Sequence, residues 1–289
     1  MLTDTAKTTQ REIGMHKIVA SDMDETFLDH AHAVPQANVD AVRELRERGV
    51  LFVPASGRAY GSVMKSLSPI RDLLEGSYVI SYNGGCIHRV GEKSPLAQSE
   101  LSRSDAERLL ALGRAAGFGA HAYTMDGTCW GWGLVEAERR YLRGHMEIRD
   151  APEEGMAFLG DAKVAKVLFV DPDGLARLRG LLERMRAADG DLLSRTEWTF
   201  SSNRYLEFNP AGVNKGHGLR KLAAALGIDM ADTVAVGDSA NDLAMIEAAG
   251  LGVAVANATS EVAAAADMRL DATCDDGAIA EVAHMLAHE

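Results

Sequence analysis

Two aspartates spaced i, i+2 close an apolar run in Ile18-Val19-Ala20-Ser21-Asp22-Met23-Asp24-Glu25-Thr26. Far downstream, the run from Thr233 to Val236 ends in Gly237-Asp238-Ser239-Ala240-Asn241-Asp242. Acids just past a strand end can be aimed at different tasks, because the backbone turns there instead of simply alternating faces. Two such clusters meeting in space would suit a divalent metal and phosphate chemistry. Asp22 is the candidate nucleophile: a carboxylate that attacks phosphorus forms an acyl phosphate and divides one hard displacement into two easier ones. It must approach a dianion. At ~4 Å and an effective dielectric of ~20, each pair of unit charges repels by about 4 kcal/mol, so about 8 kcal/mol in all. Mg²⁺ is the natural offset, since it takes oxygen ligands from carboxylates and phosphate together. Asp238 is the expected second carboxylate ligand, and Asp242 either coordinates or holds a metal-bound water.

Asp24 is the candidate general acid and base, its side chain free to face the leaving oxygen while its main-chain carbonyl reaches the metal. That role asks for a carboxyl with its pKa raised by neighbouring negative charge. Helix capping is the bland alternative for strand-end aspartates and would suffice for Asp242 alone; the two clusters together favour catalysis. Ser56 and Lys215 are the candidate holders of the phosphoryl oxygens, with backbone amides near Met23, Asp24 and Gly57. Ser56-Gly57 lies between a strand and a helix, where a hydroxyl and helix N-terminal amides can meet an anion. Lys215 opens a helix after Gly212-Val213-Asn214, which opposes the helix dipole unless an anion sits beside it.

The elements that must position these groups alternate. Strands are expected at 17–22, 50–55, 78–82, 233–236 and 252–256, and helices at 38–48, 58–67, 215–226 and 242–249. Short apolar strands between amphipathic helices indicate a doubly wound parallel sheet of α/β class. Such sheets bind ligands at the carboxyl ends of their strands, where the residues above all lie. The third strand closes on Asn83-Gly84-Gly85. The middle of the chain differs. Ser104-Asp105-Ala106-Glu107 reads as a capping box opening a helix that stops near Gly117. Strands at 120–125 and 129–134 flank the turn Asp126-Gly127-Thr128, followed by a helix at 136–145, a strand at 165–170, a helix at 175–188 and two strands between 191 and 208. This is an inserted α+β layer over 86–207, with 1–85 and 208–289 packing together as the core.

The composition of the 289 residues is that of a globular chain, 47% hydrophobic and 25% charged, large enough for a sizeable core. A formal charge of −12 argues against a general nucleic-acid or anionic-membrane binder. Cys86, Cys129 and Cys274 are far apart and lack CxxC spacing, which reads as reduced thiols in a cytoplasmic protein, with no disulfide or zinc role. Residues 1–15 have no apolar core of a signal peptide and are expected to be a frayed extension. No apolar run approaches the ~20 residues of a membrane span. His30 and His32 could ligate a metal, but a polar loop is the simpler home for them. Met125-Asp126-Gly127-Thr128 lacks the preceding acid and is explained by a hairpin turn. Trp130, Trp132 and Trp198 read as packing, and Arg139 and Arg140 as a solvated helix face.

On these residues the chain resembles the haloacid dehalogenase superfamily of phosphatases, in its Cof-type branch. Asp22-Met23-Asp24-Glu25-Thr26 is similar to the first motif of that family, Ser56-Gly57-Arg58 to the second, Asn214-Lys215-Gly216 to the third and Gly237-Asp238-Ser239-Ala240-Asn241-Asp242 to the fourth. The insert is similar to the α+β C2 cap of that branch. The resemblance implies Asp22 as nucleophile, Asp24 as acid and base, and Mg²⁺ held by Asp22, the Asp24 carbonyl and Asp238. It further implies phosphate held by Ser56 and Lys215 with Asn241 nearby, and Asn83-Gly84 at the cap hinge. Glu25 departs from the glycine usual at its position and brings charge near the metal.

The expected activity is Mg²⁺-dependent hydrolysis of a small phosphate ester, such as a sugar phosphate or a flavin-pathway or cofactor phosphate, by a monomer or homodimer. The cap would close over the substrate about hinges near 83–86 and 208–212. A phosphosugar mutase is the alternative on the same scaffold, and would need cap cations such as Lys163, Lys166, Arg195 and Arg204 to grip a second phosphate. A non-enzymatic phospho-ligand binder is the third, disfavoured because binding alone has no need of the second aspartate.

Overall fold

The computed structural model describes residues 17–143, 146–152 and 154–288. The expected frayed extension at 1–15, and the end of the helix expected over 136–145, fall outside them. The first segment gives β1 (Ile18–Asp22), α1 (Gln36–Glu47), β2 (Leu51–Ala55), α2 (Tyr60–Ser66) and β3 (Tyr78–Ser81). β4 (Cys86–Arg89) and β5 (Ala97–Gln98) follow directly. The middle supplies α3 (Arg103–Ala115), β6 (Gly119–Thr124), β7 (Cys129–Trp132), α4 (Glu136–Leu142) and β8 (Arg149–Asp150). It continues with β9 (Val164–Val170), α5 (Ala176–Ala188), α6 (Gly190–Ser194), β10 (Thr196–Ser201) and β11 (Tyr205–Pro210). The chain then returns through α7 (Lys215–Leu226), β12 (Thr233–Gly237), α8 (Leu243–Ile246), β13 (Leu251–Ala254), α9 (Ser260–Ala265), β14 (Met268–Arg269) and α10 (Ala278–Ala287).

The strands form two sheets. The larger has the order β14-β13-β12-β1-β2-β3-β4-β5. β14 through β3 are parallel, while β4 and β5 add antiparallel edge strands. β1 is buried at every position because helices cover both faces of the sheet, which is why its sequence runs apolar without alternation. From β1 the chain winds one way through β2 and β3 and the other through β12 and β13. The crevice at that reversal is where such sheets hold ligands. Asp22 and Asp238 stand on the neighbouring strands β1 and β12, which pair in register from Ile18–Thr233 to Ser21–Val236.

The smaller sheet has the order β10-β11-β9-β6-β7-β8. One face packs on α3 and α5 through Ala122, Val167, Phe169, Leu206 and Phe208. Alternation turns His121, Tyr123, Lys166, Tyr205, Glu207 and Asn209 to the other face, which meets the larger sheet's loops.

Three details differ from the sequence reading. β4 and β5, placed within the insert at 86–207, belong to the larger sheet, and β11 of the smaller sheet runs past 207 to Pro210. The helix cap lies at Ser102 instead of Ser104. The Ser102 hydroxyl accepts the Asp105 N–H at 3.1 Å, and Ser102-Arg103-Ser104-Asp105 offers the same spacing two residues earlier. The helix expected over 242–249 is regular only over Leu243–Ile246, since Ser239 and Asp242 first form a capping box around a short turn. The discounted turn and tryptophans behave as expected. Asp126 Oδ1 accepts the Thr128 N–H (3.0 Å) in a hairpin turn, Trp132 is buried, and Trp130 and Trp198 pack on Phe158 and Phe200.

Candidate active site

β1 and β12 bring Asp22, Asp238 and Asp242 together, with ligand oxygens all within 4.8 Å of one another. All three are buried. α7 delivers Lys215 into the same space because the Asn214 side chain caps that helix, accepting the His217 N–H at 2.8 Å. Lys215 is fully buried; its ammonium donates to Asp22 and, at 2.6 Å, to Asp242. The other oxygen of Asp242 accepts the N–H groups of Asp238 and Ser239, both at 3.0 Å. Asp242 therefore spends both oxygens on Lys215 and on its own loop. Thr26 Oγ donates to Asp238 at 2.8 Å and fixes that carboxylate.

Three carboxylates against one ammonium leave a surplus of two negative charges in a buried space. Burial and the Asp242 charge accordingly push the Asp22 carboxyl well above its ordinary range and the Asp238 carboxyl up to about 7. Burial alone would lower Lys215, but Asp22 and Asp242 pull it up, so it stays charged. A hard divalent cation answers both the charge surplus and the all-oxygen donor set, so the residues present fit Mg²⁺.

Asp24 leaves the strand in an extended conformation and Glu25 follows with φ 56°, turning the loop so that the Asp24 side chain stays partly exposed. Its charge reaches Asp22, but its direct contacts are basic side chains. Arg58 contacts Asp24 Oδ1 directly, and His32 Nδ1 lies 3.3 Å away. Sequence reasoning gave neither residue a role here; Arg58 was visible only as the third residue of Ser56-Gly57-Arg58.

Ser56 is buried at the end of β2, its hydroxyl accepting the Arg58 N–H at 3.1 Å. The chain after β3 wraps this loop: Asn83 N–H donates to Ser56 O (2.9 Å) and Tyr82 N–H to Arg58 O (3.1 Å). Tyr82 and Asn83 both hold positive φ, at 52° and 54°. Gly84 continues at φ 95°, where a Cβ would stand 2.2 Å from Asn214 O. Asn83 Oδ1 would be only 3.1 Å from a Cβ on Gly57. Asn241 is half-buried beside Asp242, its Oδ1 accepting from Ser239 Oγ at 2.8 Å.

The inner face of the smaller sheet closes on this edge. Asn83 Nδ2 donates to Glu207 (3.3 Å), Tyr82 OH to Thr124 O (3.0 Å) and Asn214 Nδ2 to Glu197 (3.2 Å). Glu207 is paired with Lys166 at 2.5 Å, both buried, and Ser201 also donates to it. Each cation proposed to grip a second phosphate already has an acid. Lys163 meets Glu100, Arg195 meets Asp105 and Asp191, and Arg204 meets Glu138.

Residues 19–282 match the family model of the haloacid dehalogenase-like hydrolases. The chain belongs to that family. Relatives named as phosphatases align along nearly its whole length. YxeH of Bacillus subtilis is 30% identical over 283 residues, covering 95% of this chain and 98% of that one. Phosphatase YwpJ of the same organism is 29% identical over 299 residues, covering 94% and 99%. Among solved structures, a haloacid dehalogenase-like hydrolase from Bacteroides thetaiotaomicron superposes with a TM-score of 0.78 at 25% identity, covering 94% of this chain and 99% of that one. The subclass IIB sugar phosphatase BT4131 shares the fold, with a TM-score of 0.80 over 94% of this chain and 99% of its own, at 19% identity. The chain is a haloacid dehalogenase-type phosphatase, and its inserted second sheet gives it the fold of that subclass IIB structure. Among the described residues no helix is long and apolar enough to cross a membrane.

Proposed function

We propose that this phosphatase hydrolyses a small phosphate monoester through an aspartyl phosphate on Asp22, with Asp24 moving the proton. The observation that carries the reading is the buried group of Asp22, Asp238, Asp242 and Lys215, with its surplus negative charge at the crevice of the larger sheet. Asp22, Asp238 and the Asp24 carbonyl would hold Mg²⁺, which when bound supplies charge compensation between carboxylate and phosphate. Lys215 would release part of its hold on Asp22 to meet a phosphoryl oxygen, and the Ser56 hydroxyl, the Gly57 amide and Asn241 would take the others. Asp242, with both oxygens engaged, would anchor Lys215 and the Asp238 loop instead of binding the ion directly. Asp24, drawn to one place by Arg58 and His32, would protonate the leaving oxygen and then activate water.

The cap's inner face supports a neutral, hydroxyl-rich leaving group, such as a sugar or a ribityl or other cofactor-pathway fragment. Glu207, Lys166, Ser201 and Asn83 offer hydrogen bonds there with their charges already balanced. Relatives of similar identity carry different substrates in their names. YcsE of Bacillus subtilis is a 5-amino-6-(5-phospho-D-ribitylamino)uracil phosphatase at 29% identity, and a protein of Serratia proteamaculans at 29% is an HMP-PP phosphatase. The pairing of all four cap cations speaks against a mutase that grips a second phosphate. A panel of phosphorylated metabolites assayed with Mg²⁺ for free phosphate tests the reading. Release from sugar or cofactor-type monoesters, lost in Asp22→Asn, is expected; sugar 1-phosphate to 6-phosphate conversion without free phosphate would overturn it.

A further inference from the structure

We infer that His30, Cys274 and Asp275 form a second cation site, separate from the all-oxygen acid cluster and suited to a borderline-soft divalent ion such as Zn²⁺. His30 follows β1 in the loop after the first motif, and the other two stand in the loop before α10, so the fold joins groups 244 and 245 residues apart. Cys274 Sγ lies 3.6 Å from His30 Nδ1, which itself lies 2.7 Å from Asp275 Oδ2. A tetrahedral zinc with Zn–N of ~2.05 Å and Zn–S of ~2.3 Å sets the N···S separation at about 3.6 Å. The matching N···O separation is about 3.3 Å, so the half-exposed Asp275 carboxylate has to withdraw by roughly 0.6 Å from its hydrogen bond.

The ligands are already oriented from outside. His30 N–H donates to Asp275 Oδ1 at 3.0 Å, which holds the carboxylate in line with the imidazole. Cys274 N–H donates to Asn257 Oδ1 at 2.9 Å, and Asn257 Nδ2 in turn donates to Glu25 O at 2.7 Å. Outer bonds of this kind fix ligand geometry in metal sites. The last of them ties the cluster to the loop that carries Asp24. A water would take the fourth position. A close cysteine–histidine pair is not sufficient evidence. Cys86 Sγ has His88 Nδ1 at the same 3.6 Å, yet among the described residues no carboxylate completes that pair. Among the described residues, sulfur, nitrogen and oxygen donors converge only at Cys274. Burial pushes the Cys274 thiol up to about 11, so binding must expel its proton as the S–metal bond forms.

Co²⁺ titration of the full chain in saturating Mg²⁺ tests the site with a readout that does not depend on turnover. One equivalent should produce a near-ultraviolet thiolate-to-cobalt charge-transfer band with intense tetrahedral visible bands. Cys274→Ser should erase the charge-transfer band while circular dichroism stays unchanged. His30→Ala, at an exposed position, should weaken Co²⁺ binding by about 10-fold or more. Asp238→Asn should leave the spectrum intact. A weak octahedral spectrum that Asp238→Asn removes and Cys274→Ser keeps would overturn the inference, as would a thiolate band that survives Cys274→Ser. Either result leaves the phosphatase reading untouched, since that reading assigns no step to these three residues.

Discussion

The floor and the roof of the cleft handle charge in opposite ways. On the floor, Asp22, Asp238 and Asp242 outnumber Lys215, and the surplus is buried where water cannot screen it. On the roof, the buried charges are balanced in place, Lys166 with Glu207 and Arg204 with Glu138. A buried imbalance is costly unless something outside the chain neutralises it, so the floor reads as a place for a cation and a phosphate. A balanced pair asks for nothing and presents oriented donors and acceptors to a neutral group. The same residue types thus do electrostatic work below and shape recognition above.

Four changes would break or sharpen that contrast. Asp22→Asn removes the group proposed to attack phosphorus while leaving Lys215 its other acid, and turnover of an aryl phosphate should fall by roughly 10⁴-fold or more with the fold intact by circular dichroism. On the roof, Glu207→Ala strands the buried Lys166 ammonium and should cost about 3–5 kcal/mol in urea unfolding. Lys166→Met combined with Glu207→Met should recover most of that loss, because the balanced pair is replaced as a unit. Thr26→Val takes the hydroxyl from Asp238 and should weaken Mg²⁺ binding by about 10-fold in calorimetry, with little change in stability.

The smallest effect is a pH slope. Without metal, Asp238 holds its proton up to about pH 7 in the folded chain, whereas an unfolded aspartate releases it near its ordinary ~3.9. The folded state therefore carries the extra proton between those values, and its stability should decline as pH rises across that window. Mg²⁺ should flatten the decline, and its apparent affinity should drop by up to about tenfold per pH unit below 7, as the proton competes for Asp238. Melting temperature measured against pH, with and without Mg²⁺, reads both.

The floor was legible in the sequence and the roof was not. Buried parallel strands announce themselves as apolar runs, and acids at their ends stand out against that background; register between neighbouring strands then forces Asp22 and Asp238 to one edge. The roof depends on pairings such as Lys166 with Glu207, made across two strands 41 residues apart, where no local spacing marks the partner. Arg58 and His32 beside Asp24 escaped for the same reason, as did the meeting of His30 with Cys274. β4 and β5 fall inside 86–207 with no strand expected at 86–89 or 97–98, because short antiparallel edge strands lack the apolar runs that mark the centre of the larger sheet. The helix cap slipped by two residues because Ser102 and Ser104 both have an acid three positions on.

The central claim is that acids from the two ends of the chain share one divalent ion on the floor. Soaking crystals with Mn²⁺ and locating it by anomalous scattering tests this directly. The account predicts a single strong peak about 2.1–2.3 Å from one oxygen each of Asp22 and Asp238, within the usual range for a hard cation on oxygen ligands. A peak elsewhere, with Asp22 and Asp238 still closed on Lys215 and Thr26 alone, would contradict it.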